Sequence, residues 1–137
     1  MLEQLNRRIP ELEAIVLLKT KLSLFELGNE ISAKFFDNKI CLGNYEEWLF
    51  DGECESIYVD FAGLRYILVE HIDKGNTPIK GEFIFAVEFM SPVDGWTVDS
   101  WHGYVNVSAF YGAQLAKLNL KDTTVAYKNE DGVFITL

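Results

Sequence analysis

The chain has 137 residues, of which 49% are hydrophobic and 14% aromatic. That is long enough for one domain with its own core, and the composition excludes a disordered or fibrous protein. The formal net charge of −9 is the opposite of what binding to nucleic acid requires.

The first structural signal follows Pro10. Ala14–Leu18 is an uninterrupted apolar run that reads as a buried strand. Ser23-Leu-Phe-Glu26 is a capping box, with a serine oxygen for an orphan amide and a glutamate returning to the serine amide. Leu24, Leu27, Ile31 and Phe35 then repeat at helical spacing, which predicts a helix over about 24–36 that stops at Asp37-Asn38. Asn44-Tyr-Glu-Glu47 has the same capping pattern and predicts a short helix ending at Asp51-Gly52, where glycine supplies a left-handed exit. Ile57, Val59 and Phe61 alternate with polar neighbours, Ala62-Gly63 offers a turn, and Leu64–Ile72 continues as a second strand. After the break at Lys74-Gly-Asn-Thr-Pro78, Glu82–Met90 reads as another strand, and Ser91–Gly95 as a turn. Val98–Ser108 is extended, and a helix over 109–118 carries Tyr111, Leu115 and Leu118 on one side. Thr123–Tyr127 and Val133–Leu137, joined through Asn129–Gly132, close the chain as a hairpin. The expected fold is a single α+β domain over residues 1–137. It has a meander-like antiparallel sheet of about five to seven strands, with two or three helices on one face.

Charge is partitioned along the chain. Residues 1–39 carry six cations and six carboxylates, and residues 117–137 carry three of each. The whole excess therefore lies in residues 40–116, where twelve carboxylates face Arg65, Lys74 and Lys80 alone. Such a segment is either a solvated acidic face or a surface that attracts a basic partner. The longest apolar runs, Ala14–Leu18 and Phe83–Val87, are far below the roughly 20 residues of a membrane span. The first residues also lack the apolar stretch of a secretory signal. The expectation is a cytoplasmic protein with no membrane or nucleic-acid partner.

The usual chemical signatures are missing. No phosphate loop, dinucleotide fingerprint, zincin helix or nucleophile elbow occurs in the chain. Cys41 and Cys54 are too few for a disulfide framework and match no metal knuckle, so both are expected as reduced, buried thiols, with no metal or cofactor. Glu53 and Glu55 flank Cys54, and negative neighbours raise a thiol's pKa, which opposes its use as a nucleophile. Asn106-Val-Ser108 matches a glycosylation sequon by chance. Asp60 and Glu70 lie on neighbouring predicted strands where they could face each other.

Two stretches combine acids with aromatics: 44–55, and Asp94-Gly-Trp96 through Asp99-Ser-Trp101-His102. Trp96 and Trp101 are five apart, so an unbroken strand points them to opposite sides and only a bulge would unite them. The leading expectation is a non-enzymatic acidic binding protein, an inhibitor or immunity-type partner that masks a basic nuclease or toxin domain. Its contact residues would be Glu46, Glu47, Trp48, Asp51, Glu53, Glu55, Asp94, Trp96, Asp99, Trp101 and His102. Carboxylates steer the encounter and aromatics supply the desolvated anchor. One alternative is a small-ligand pocket lined by Trp48, Phe85, Phe89, Trp96 and Tyr104. The other is a small hydrolase-like enzyme using His102 with Asp94 or Asp99. An aromatic-lined cavity would favour the first alternative, and a convergent polar cluster the second.

Overall fold

The computed structural model describes residues 11–48, 54–89 and 104–137. Chain order is β1 (Glu11–Thr20), α1 (Leu24–Lys34), β2 (Asn44–Trp48), β3 (Cys54–Phe61) and β4 (Leu64–Ile72). β5 (Pro78–Phe89), β6 (Tyr104–Asn106), α2 (Ser108–Lys117), β7 (Thr123–Lys128) and β8 (Phe134–Thr136) follow. All eight strands share one sheet in the order β2-β3-β4-β5-β1-β7-β8, with β6 paired to β1. The result is α+β, but the sheet is larger than the five to seven strands expected.

Ala14, Val16 and Leu18 of β1 are fully buried on one face of the sheet. The antiparallel register sets Val87, Phe85 and Phe83 of β5 opposite them. Ile57, Leu68 and Val125 extend this face across β3, β4 and β7. Both helices cover it. Leu24, Leu27 and Ile31 of α1 and Leu115 of α2 join the same core. Phe85 is the centre of the packing, with ring centroids of Phe35, Tyr66 and Tyr111 at 5.9, 6.2 and 6.4 Å.

Local chemistry explains the helix ends. Ser23 Oγ accepts from Glu26 N–H at 3.2 Å while Glu26 Oε1 accepts from Ser23 N–H at 3.0 Å, completing the capping box. Beyond α1, Asp37 and Asn38 take positive φ values of 53° and 57°, the left-handed turn that ends a helix. The turn at Ala62-Gly63 also has both residues at positive φ, 54° and 79°. This is the primed two-residue geometry that matches strand twist.

Three expectations are corrected. Residues 44–48 are a strand, not the start of a short helix. The ladder Tyr45↔Ile57 and Glu46↔Ser56 outcompetes a capping pattern that no apolar helical stripe follows. The meander is interrupted: β2 to β5 are consecutive neighbours, but β1 is inserted between β5 and β7, and β6 runs parallel to it. Ser108 opens α2 instead of ending a strand, and its Oγ accepts from Ile15 N–H at 2.8 Å. Residues 98–103 of the expected strand lie outside the described residues.

The second face is not flat. Phe134 of β8 lies on it by register, and His71 of β4 reaches it beside Glu82. These strands are four ladder steps apart, about 19 Å in a flat sheet. Yet the two rings meet edge-on with centroids 6.1 Å apart. The sheet therefore curls around this face, where Leu17, Ile67 and Ala126 are buried.

Two substitutions test the packing and the turn. A Cβ at Gly112 would lie 2.9 Å from Tyr127 Cβ, an atom fixed to the β7 backbone. Gly112→Val is expected to lower unfolding free energy by about 1–3 kcal/mol. Ala62→Asn suits the left-handed turn position better and is expected to raise it by up to about 1 kcal/mol. Denaturant midpoints read both changes, and an unchanged midpoint for Gly112→Val would refute the close helix–sheet approach.

Candidate interaction surface

The β2–β3 hairpin brings together the described part of the acidic segment. Register places Glu46 opposite Ser56 and Glu47 opposite Glu55. Glu46 and Glu55 are exposed. Tyr45 Oη donates to Glu55 Oε1 at 3.1 Å, and the Tyr45 ring stacks on Phe25 of α1 with centroids 5.8 Å apart. Phe25 is 53% exposed and Tyr45 45%, so a large apolar pair stands in solvent beside the Glu55 carboxylate, while alternation turns Glu46 to the other face of the hairpin. Phe25 was not among the expected contact residues. Its signal was phase: it lies off the Leu24, Leu27, Ile31 stripe, where a helix normally presents polar side chains.

Glu55 links this hairpin to an open groove of about 650 Å³ between the start of α1 and the ends of β3, β4 and β5. Its charged lining is mixed, with Lys21 and Lys80 against Glu26, Glu55 and Glu70. Each carboxylate holds part of the fold. Glu26 closes the helix cap, Glu55 takes the Tyr45 hydroxyl, and Glu70 Oε1 accepts from Glu55 N–H at 2.8 Å. Asp60 and Glu70 do not face each other. Asp60 is held by Arg65 in a bidentate pair at 2.7 and 2.9 Å, which keeps its carboxyl below the ordinary range. Arg65 also lies 4.5 Å over the Tyr58 ring. The one arginine within residues 40–116 is thus committed internally, leaving the surrounding acid in excess.

The thiols differ from each other and from expectation. Both are free, but Cys41 is exposed and Cys54 only partly covered. Cys54 Sγ donates to Glu70 O at 3.5 Å. Burial, then the Glu70 charge, pushes its pKa up, so it is a poor nucleophile. His71 Nδ1 lies 3.1 Å from Glu82 Oε1. Asn106 Nδ2 donates to Lys128 O while its Oδ1 accepts from Ser108 N–H. The sequon amide thus ties β6, α2 and β7 together.

For the pocket alternative, Phe85 is fully buried inside the helix-covered core, and backbone pairing sets Trp48 opposite Cys54. Asp51, Glu53, Asp94, Trp96, Asp99, Trp101 and His102 lie outside the described residues. So does the hydrolase arrangement of His102 with Asp94 or Asp99. Among the described residues no group of three or more His, Cys, Asp or Glu is arranged to hold a metal ion. No helix among them is long and apolar enough to cross a membrane.

Comparison with protein-family models, with curated proteins and with solved structures finds no match to this chain.

Thiol labelling tests the electrostatics around Glu70. Cys41 is expected to react at once in the native protein at pH 8, and Cys54 to lag by tenfold or more. Glu70→Gln removes a negative neighbour, lowers the Cys54 pKa and should accelerate its labelling. Equal rates for the two thiols in the unaltered protein would contradict the greater cover and raised pKa of Cys54.

Proposed function

We propose that this protein is a non-enzymatic acidic binding protein that engages a basic protein partner through the β2–β3 hairpin and the start of α1. The observation that carries the reading is the exposed Phe25–Tyr45 stack beside Glu55, on a hairpin that belongs to the segment holding the entire charge excess. Exposed carboxylates accelerate encounter with a positive surface, and a rigid aromatic pair provides area to desolvate once contact is made. The Asp60–Arg65 pair supports this, because the bidentate bond holds that arginine on Asp60 and away from Glu55 and the Phe25–Tyr45 stack. An inhibitor or immunity-type role, masking a basic nuclease or toxin domain, is the form of this function that the charge favours.

The division of labour makes the proposal testable with a partner captured from native lysate and then purified. Glu46→Lys/Glu55→Lys is expected to slow association about tenfold at low salt. The deficit should shrink as ionic strength brings the Debye length below about 8 Å. Phe25→Ala should leave association nearly unchanged and speed dissociation by about ten- to thirtyfold, roughly 1.4–2 kcal/mol. Because Phe25 is half exposed, the melting temperature should barely move. A partner whose association rate ignores both charge reversals would overturn the assignment.

A further inference from the structure

At the opposite end of the sheet from β2, strand β8 is an edge of another kind. Val133, Ile135 and Leu137 are 55%, 38% and 54% exposed. No charge, proline or glycine interrupts Val133–Leu137. Edge strands are normally blunted by such residues, because their unpaired amides and carbonyls template further pairing. β2 carries Glu46 and Glu47; β8 carries no such guard.

The direction of the backbone groups follows from the hairpin bonds. Leu137 N–H donates to Val125 O at 2.9 Å, and Val133 O accepts from Asn129 N–H at 2.8 Å. Residues 133, 135 and 137 therefore turn their backbone groups inward to β7. By alternation Phe134 and Thr136 turn theirs outward. Among the described residues β8 has a ladder neighbour only on its β7 side.

We infer that β8 pairs antiparallel with β8 of a second copy of this chain, about a two-fold axis at Ile135. That register uses all four outward groups: Phe134 N–H and C=O bond Thr136 of the partner copy, and Thr136 bonds Phe134 in return. It sets Ile135 against Ile135 in a close non-hydrogen-bonded pair, and Val133 against Leu137 on either side. The three exposed apolar side chains thus become the three cross-strand contacts. Charge selects the occupant. Two chains of −9 repel over a distance, but residues 117–137 carry three cations and three carboxylates, so this neutral end can approach its own copy. Self-pairing at β2 would instead oppose glutamates. The interface is small, so the dimer is reversible, with a Kd on the order of 100 μM.

Sedimentation over a concentration series, up to on the order of 0.5 mM, tests the inference on the full chain. Ile135→Lys and Ile135→Glu should each weaken self-association more than tenfold, since like charges meet at the axis. An equimolar mixture of the two should restore a salt-sensitive heterodimer. Thr136→Pro, which removes one outward N–H and leaves the β7 ladder intact, should also yield monomer. A wild-type chain that stays monomeric throughout overturns the pairing. So does a dimer that survives the Ile135 substitutions, or a loss that mixing fails to restore when both variants show wild-type thermal unfolding.

Discussion

Strand β1 is the constraint on which the remaining structure depends. It pairs with β5 over Glu13–Lys19, with β7 over Val16–Thr20 and with β6 over Glu11–Glu13. Among the described residues the β2–β5 meander and the β7–β8 hairpin share no ladder with each other, and β1 joins them into one sheet. Its alternation follows from this position. Ala14, Val16 and Leu18 fill the helix-covered face, while Leu17 is buried on the other. A central strand buried on both faces reads as a continuous apolar run, which is what Ala14–Leu18 is.

Much of the architecture was legible where local chemistry and tertiary packing agree. Ser23 and Glu26 signal a helix start, and Leu27 and Ile31 continue at the spacing needed to reach the core, so α1 forms where expected. Ala62-Gly63 has the turn chemistry its strands require. The failures have a common cause. Asn44 through Glu47 resembles a helix start, but the strand that captures it, β3, is specified only by pairing across the hairpin. The insertion of β1 between β5 and β7 was likewise invisible, because single-sequence periodicity shows that a strand is buried but not which neighbours it has. Cys41 was assigned to the interior on residue type, and it stands exposed because its place follows the turn after α1.

The candidate surface was half visible. Glu46 and Glu55 were identifiable from charge, and register brings them onto one hairpin. Phe25 belongs to a different element, α1, and its meeting with Tyr45 depends on α1 crossing the sheet near β3. Gly28 permits that approach, since a side chain there would run into Ile57. The interaction surface and the core therefore share a cause: the same close crossing that buries Leu27 leaves Phe25 projecting beside β2.

The position of β1 also has a kinetic meaning. Leu18 pairs with Phe83 and with Val125, partners that arrive only late in synthesis. The β2–β5 meander is built from successive antiparallel neighbours and can form early, whereas the centre of the sheet must wait until β7 has emerged. Closing such long loops before contact energy is gained makes for slow folding, on the scale of milliseconds to seconds. Until β5 is made the Ala14–Leu18 run has neither neighbour, and until β7 is made it has only one, states in which a nascent chain is exposed to wrong partners. Leu18 is thus made well before either of the partners that satisfy it.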